Sequence, residues 1–203
     1  IHDMLIVFAT NNKNKLIEIS NLIGKNFHLL SLADINLEDD IPEDEPTLEA
    51  NALHKARFIS GKTGHNVFAD DTGLEVDALG GRPGVHSARF AGEEKNSDAN
   101  IDKLLALLQE HTNRKARFRT IIALIYEGNE YLFEGIVNGM IITDKRGREG
   151  FGYDPVFVPE GYSATFAEMS LQEKNKISHR AMAFEKLRIF LGGQPDAGPP
   201  EKG

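Results

Sequence analysis

The sequence predicts an α/β fold in which helices flank a mixed β-sheet. Three observations carry this reading. Met4 to Ala9 (MLIVFA) is a short apolar run with β-branched residues, and it leads through a polar turn into a helical pattern. Strand-like and helix-like segments then alternate along the chain, the pattern of packed α/β layers. Ala116 to Tyr126 and Tyr131 to Ile142 are the strongest strand candidates, and Glu127-Gly128-Asn129-Glu130 joins them as a hairpin.

Each element has a local signature. After Thr10 to Lys15, residues Leu16, Ile19, Leu22 and Ile23 fall on one side of a helix. Phe27 to Leu32 reads as a second strand, and Leu37 to Pro46 is acidic and irregular with two prolines. Thr47 reads as a helix N-cap, with Glu49 facing the positive end of the helix dipole. Leu48, Ala52, Ala56 and Ile59 make that helix's buried stripe, while Asn51 and Lys55 lie one turn apart on a different, polar face. Asn66 to Ala69 reads as a strand ending at Asp70-Asp71, followed by a turn-rich loop marked by Gly80, Gly81, Pro83 and Gly84. Ile101 to Leu108 is amphipathic, and Ala181 to Leu191 is a closing helix capped by Ser178 with Phe184, Leu187 and Leu191 inward. No internal repeat or linker divides the chain. Residues 4–191 are expected to form one domain, 192–203 a flexible Gly- and Pro-rich tail, and 1–3 an appendage before a native start at Met4.

Composition limits the function. With 203 residues, 40% of them hydrophobic, the chain can bury a substantial core, and aromatics at 8% with no Trp leave packing mainly aliphatic. The absence of Cys excludes disulfides, thiolate metal sites and a Cys nucleophile, and fits a reducing, cytoplasmic setting. A formal charge of -8 argues against a nucleic-acid binder, which needs a basic face. A small anionic ligand needs only a local pocket of Lys and Arg. No apolar run approaches the roughly 20 residues of a membrane span, and the N-terminus lacks a secretion pattern.

Several dispersed segments carry candidate chemistry. Thr10-Asn11-Asn12-Lys13-Asn14-Lys15 follows a strand and opens a helix, where backbone amides and two lysines attract anions; it also reads as an Asn-rich turn with solvated lysines. It lacks a Walker A loop. Asp71-Thr72-Gly73 reads as a metal-binding or base carboxylate, as an aspartic protease loop, or as a plain turn. The protease reading requires a second such loop, and this chain has one. Adjacent strand residues point to opposite sides, so one of Asp70 and Asp71 is expected to reach a site while the other braces it. Glu43 sits in a charge run that is ordinarily solvated, but Mg²⁺ on phosphates takes only one or two protein carboxylates, a role open to Glu43 and Asp71. Phe151-Gly152-Tyr153-Asp154 puts rings beside a Gly-rich loop that fits a lid or rim, and a ring there can stack on a base. Lys174, Lys176, His179 and Arg180 cluster before the last helix; for His179 alone a packing role is the default.

These residues together resemble one family, the HAM1/RdgB-type inosine triphosphate pyrophosphatases, over about Met4 to Leu191. The resemblance runs through ATNNKNKLIEI, FADDTGLEVDALGGRPGVHSARFAG, ARFRT, GFGYDPVF and EKNKISHRA. One departure is visible: the helix motif reads Glu-Ala-Asn-Ala rather than Glu-Asn-Ala, so no role passes to Glu49. The resemblance implies an elongated two-lobed α/β structure with the active-site cleft between the lobes, usually paired as a homodimer. It implies a substrate loop at Thr10 to Lys15, a Mg²⁺ carboxylate at Glu43, and metal binding plus base function at Asp71. It further implies substrate contacts at Thr72, Phe151 to Asp154, Lys174, His179 and Arg180, with Lys55 a phosphate contact. The implied reaction removes pyrophosphate from ITP, dITP and XTP. The rivals are a Maf-like pyrophosphatase for other modified nucleotides and a non-catalytic nucleotide sensor.

Overall fold

A computed structural model describes residues 4–192 of the chain. The expectations for residues 1–3 and for the tail beyond Gly192 lie outside the described residues. The predicted strand-turn-helix opening is present as β1 (Met4–Phe8) and α1 (Lys13–Leu22), followed by β2 (Phe27–Leu30) and α2 (Leu48–Thr63). Then come β3 (Val67–Val76), the two-residue β4 (Pro83–Gly84), α3 (Ser97–Leu107), β5 (Lys115–Tyr126) and β6 (Asn129–Ile141). The chain closes with β7 (Phe157–Pro159), α4 (Leu171–Asn175) and α5 (His179–Phe190).

All strands join one mixed sheet in the order β2-β1-β3-β5-β6-β7, with β4 attached to β3. The β1–β2 and β1–β3 pairs are parallel, and β3–β5, β5–β6 and β6–β7 are antiparallel. Tyr126 pairs with Asn129, so the hairpin loop is only Glu127-Gly128.

The expectation that β3 stops at the two acids is wrong. The strand runs on to Val76 because β5 pairs with it along its whole length, from Val67↔Ile125 to Val76↔Ala116. Asp70 and Asp71 therefore sit mid-strand, opposite Ile122 and Ile121. The turn-rich loop also contributes order, since Gly84 pairs with Leu74.

Strand periodicity sorts the core. On one face Val67, Ala69, Ile121 and Ala123 pack against Leu48, Ala52, Ala56 and Ile59 of α2. On the other, Phe68, Ile122 and Leu124 pack against Ile19 of α1 and Phe184 and Leu187 of α5. This two-sided lobe holds the first half of β3. The second lobe gathers Leu74, Val76, Phe118 and Val137 with Ile101 and Leu104 of α3 and the β7 region. Strands β3, β5 and β6 run through both lobes.

Helix α5 lies directly on β6. A Cβ at Gly135 would sit 2.0 Å from the carbonyl oxygen of His179 and 2.8 Å from the amide nitrogen of Ala183. Those are backbone atoms that cannot rotate away, so Gly135→Ala must push α5 off the sheet, at a cost on the order of 1–3 kcal/mol for forced overpacking. Urea denaturation should show that loss. Gly24→Ala, which meets nothing within 4 Å, should stay within roughly 0.5 kcal/mol of the parent.

Candidate active site

The strand alternation that sorts the core also separates the two acids. Asp71 turns toward α2, where Asn51 Nδ2 donates to its Oδ2 at 3.0 Å, and the amide of Thr72 donates to its Oδ1 at 3.2 Å. Asn51 and Lys55 are one turn apart, as predicted, but their face is buried rather than solvated: they are 1% and 4% exposed. The oxygen of Asn51 accepts the amide of Glu45, which moors the acidic loop to α2. Lys55 Nζ reaches Glu43 Oε1 at 2.8 Å and also donates to the carbonyl of Asp70. Glu49, assigned no role, pairs instead with Arg119.

Burial pushes the Asp71 carboxyl above its ordinary range, against the pull of Lys55, Lys15 and Asn51. Burial works the same way on Glu43, but there Lys55, by charge and hydrogen bond, with Lys15 and Lys95, holds the carboxyl below its usual value.

Asp70 turns to the opposite face and meets a buried ionic network. Arg180 Nε donates to Asp70 Oδ2 at 3.1 Å, and Lys15 Nζ lies 3.2 Å from Oδ1. Arg180 also donates to Glu18 and, at 3.1 Å, to Thr72 Oγ1, which in turn shares a 2.7 Å bond with Thr120. Lys174 Nζ bridges Glu18 at 2.6 Å and Asp154 at 2.7 Å. Burial opposes ionisation of Asp70, yet Lys15, Arg180 and Lys55 outweigh it and hold the carboxyl far below its usual range.

Glu18 was missed by sequence reasoning. It is 3% exposed, between two cations more than 150 residues away in sequence. Its signal was positional: Lys15, Glu18 and Leu22 recur at three and four residues, so the acid shares a helix face with an inward leucine.

A cavity of about 380 Å³ lies between the lobes and joins these groups. The first lobe lends Thr10, Asn11, Asn12, Lys15, Glu43, Asn51, Lys55, Asp71 and Thr72. The second lobe and the closing segments lend Ser87, Arg89, Lys95, Phe118, Phe151 to Asp154, Lys174, His179 and Arg180. Lys13 and Asn14 are exposed and do not line it. Asn12 caps α1, and its side chain takes the amides of Asn14 and Lys15 that would otherwise face an anion.

Phe151 is half-buried, with Lys174 Nζ 4.9 Å from its ring centroid. Asp154 Oδ2 accepts the amide of Phe151, and Tyr153 donates its hydroxyl to the carbonyl of Ser87 at 2.6 Å. Gly150, just ahead of Phe151, packs closely on this acid: a Cβ there would lie 2.1 Å from Asp154 Oδ2. His179 is packed and buried at the cavity wall. Its ring stacks on Phe118 at 4.6 Å with 16° between planes, and its Nδ1 has no hydrogen-bond partner. α5 begins at His179, so its first amides have no acceptor inside the helix, and the Ser178 hydroxyl takes that of Ala181.

Among the described residues, no three His, Cys, Asp or Glu side chains converge into a metal cage. Glu43 and Asp71 offer hard carboxylate oxygens in one cavity. That donor set suits Mg²⁺ when phosphate oxygens and water supply the remaining positions.

Burial, then the charges of Arg180 and Lys174, lower the proton affinity of His179 well below the ordinary value of 6.5. The folded ring stays neutral while the unfolded ring takes a proton below that value. Stability therefore falls as pH drops below 6.5 and is level above it. His179→Gln should remove a component of that slope approaching about 1.4 kcal/mol per pH unit near pH 5, read from urea unfolding at stepped pH.

The chain was compared with known proteins. Residues 6–190 match the model of the Ham1 family. A dITP/XTP pyrophosphatase of Christiangramia forsetii is 53% identical over 188 residues, covering 93% of this chain and 99% of that protein. A dITP/XTP pyrophosphatase of Porphyromonas gingivalis is 52% identical over 187 residues, covering 92% and 96%. Among solved structures, the Ham1 protein of Staphylococcus aureus superposes with a TM-score of 0.84 at 38% identity, over 94% of this chain and all of that one. The nucleoside-triphosphatase, or dITP/XTP pyrophosphatase, of Mycobacterium abscessus gives 0.74 at 42% identity, over 91% and 98%. Their curled mixed sheet with flanking helices is the fold described above, and the chain belongs to the Ham1 family.

Proposed function

We propose that this protein hydrolyses the non-canonical purine triphosphates ITP, dITP and XTP to the monophosphate and pyrophosphate. One observation carries the reading. A single cavity holds a carboxylate pair, Glu43 and Asp71, beside Lys15 and Lys55, and an aromatic and donor-rich end formed by Phe151, His179 and Arg180. The curated relatives named dITP/XTP pyrophosphatase support the same substrate class.

In this reading the triphosphate lies along Thr10, Asn11, Asn12 and Lys15, with Lys55 beside it and Lys174 at the inner wall. Asp71 orients the attacking water and accepts its proton. The water oxygen bonds to the first phosphorus as the bond to the pyrophosphate oxygen breaks. Asn51 and the amide of Thr72 hold the Asp71 carboxylate in one orientation, so positioning is established before substrate arrives. Burial makes that carboxylate a stronger base than a solvated one. Mg²⁺ held by Glu43 and Asp71 supplies charge neutralisation at the phosphate oxygens.

Selectivity rests on the 6-oxo group. The open amides at the start of α5, where His179 lines the cavity, suit an acceptor, which ITP and XTP present and ATP does not. A buried donor left unpaired costs about 1–3 kcal/mol, so a few such contacts reject ATP strongly. Arg180 contributes mainly by fixing this end, since three of its donors already bind Asp70, Glu18 and Thr72. No helix among the described residues is long and apolar enough to cross a membrane. A cytoplasmic homodimer completes the proposal, supported by the resemblance seen in the sequence.

Asp71→Asn keeps the shape of the side chain and removes the base. Turnover should fall by well over tenfold, on the scale of general-base catalysis, in a protein that still unfolds cooperatively. A smaller loss would remove Asp71 from this role. A panel of ITP, dITP, XTP, ATP and GTP, with phosphate and pyrophosphate measured separately, tests the whole reading. Pyrophosphate should appear from the first three at least about a hundredfold more efficiently than from ATP. Tight binding without turnover would indicate a sensor, and equal efficiency on every nucleotide would refute purine selectivity.

A further inference from the structure

Charge balance in the cavity points to a contact that the catalytic reading does not contain. The carboxylates at and behind its wall are Glu18, Asp40, Glu43, Asp70, Asp71 and Asp154, against the cations Lys15, Lys55, Lys174 and Arg180 deeper in the cleft. Each of these cations already faces at least one of the carboxylates. Counted as ionised, the set has two carboxylates more than it has cations. A triphosphate adds several further negative charges, so positive charge must come from elsewhere as well as from a divalent ion.

The remaining cationic side chains lining the cavity are Arg89 and Lys95, on the segment between β4 and α3. Arg89 is occupied: it donates to the backbone carbonyl of Glu43, and its Nη1 lies 3.7 Å from Glu93. Lys95 is not. Its ammonium is 4.0 Å from Glu43 Oε2, beyond hydrogen-bonding distance, and its side chain is 55% exposed.

The backbone around Lys95 is nonetheless fixed. Its amide donates to Gly92, and the next residue, Asn96, caps α3 through Ala99. Buried Asn100 ties the preceding turn by accepting the amide of Ala91 and donating to Ala88. Lys95 is thus an uncommitted ammonium on an anchored stem, beside Glu43 in the cavity wall.

We propose that Lys95 is a substrate-contacting residue that receives the two distal phosphates, the part of the nucleotide released as pyrophosphate. This rests on the functional reading above and extends it to the opposite wall of the cleft. With Glu43 engaged in holding a divalent cation, Lys95 would lose the one carboxylate within 4.0 Å of it among the described residues and would be free for the departing group.

The test uses Lys95→Ala and Lys95→Glu in the full chain, with pyrophosphate and IMP as separate probes in calorimetry with Mg²⁺. Lys95→Ala should weaken pyrophosphate about tenfold, the loss of one charge-assisted contact, and Lys95→Glu should weaken it further. IMP, which lacks the distal phosphates, should bind both variants as it binds the parent. With ITP, KM should rise in parallel while kcat changes by less than about twofold. Unchanged pyrophosphate affinity in both variants would overturn the proposal, as would an equal loss for IMP. Absence of ITP turnover by the unmodified protein would overturn the functional reading instead, and pyrophosphate binding would still decide the role of Lys95.

Discussion

The pairing of Asp70 with Arg180 and Lys15 is the interaction on which the rest of the site depends. It joins the middle of β3 to the start of α5 and to α1, three elements widely separated in sequence. A buried carboxylate without partners would cost several kcal/mol, and so would a buried guanidinium. Each is tolerable only because the other is in place, with Glu18 and Thr72 taking further guanidinium donors. Once β3 is held this way, the next residue along the strand has no choice of direction. Asp71 must face α2 and the cavity, and its neighbour's brace becomes its own orientation.

The two acids thus divide the work by parity alone. Asp70 is drawn into firm ionisation by the cations around it, whereas burial raises the Asp71 carboxyl and makes it the more basic of the two. Adjacent residues with the same side chain come to differ because one faces Arg180 and the other faces Asn51 and Lys55. The aromatic wall of the cavity is set by the same network. Arg180, fixed on its far side, leaves His179 beside it flat against Phe118 with a nitrogen unclaimed.

What the sequence made legible followed range. Caps at Thr47 and Ser178 were readable because they are contacts within three residues, and both are present. The divergence of Asp70 and Asp71 was readable from strand period, though not which of them faced the cleft, since that depends on where α2 and α5 pack. The length of β3 was not readable: Thr72-Gly73 looks like a turn, and only pairing with β5 about fifty residues later keeps it extended. Glycine 73 is needed there because a Cβ would lie 2.6 Å from the carbonyl oxygen of Gly84. Polar residues misled in the same direction. Asn51 and Lys55 read as one polar face and Glu18 drew no reading, and the burial of all three becomes visible only with partners drawn from distant segments. Of the residues the resemblance named, Lys15 lines the cavity whereas Lys13 and Asn14 are turned outward by the helix.

Unbroken ladders carry β3, β5 and β6 from one lobe into the other. A wide jaw-like opening needs a few residues free to change their backbone angles where the halves meet, and a continuous ladder offers none there. The gap between the lobes is thus preset in width, and what adjusts to a guest must be torsion of the sheet or the segments along the rim. A purine with a bulky addition would therefore meet a wall that does not yield, giving this scaffold a size limit independent of any hydrogen bond.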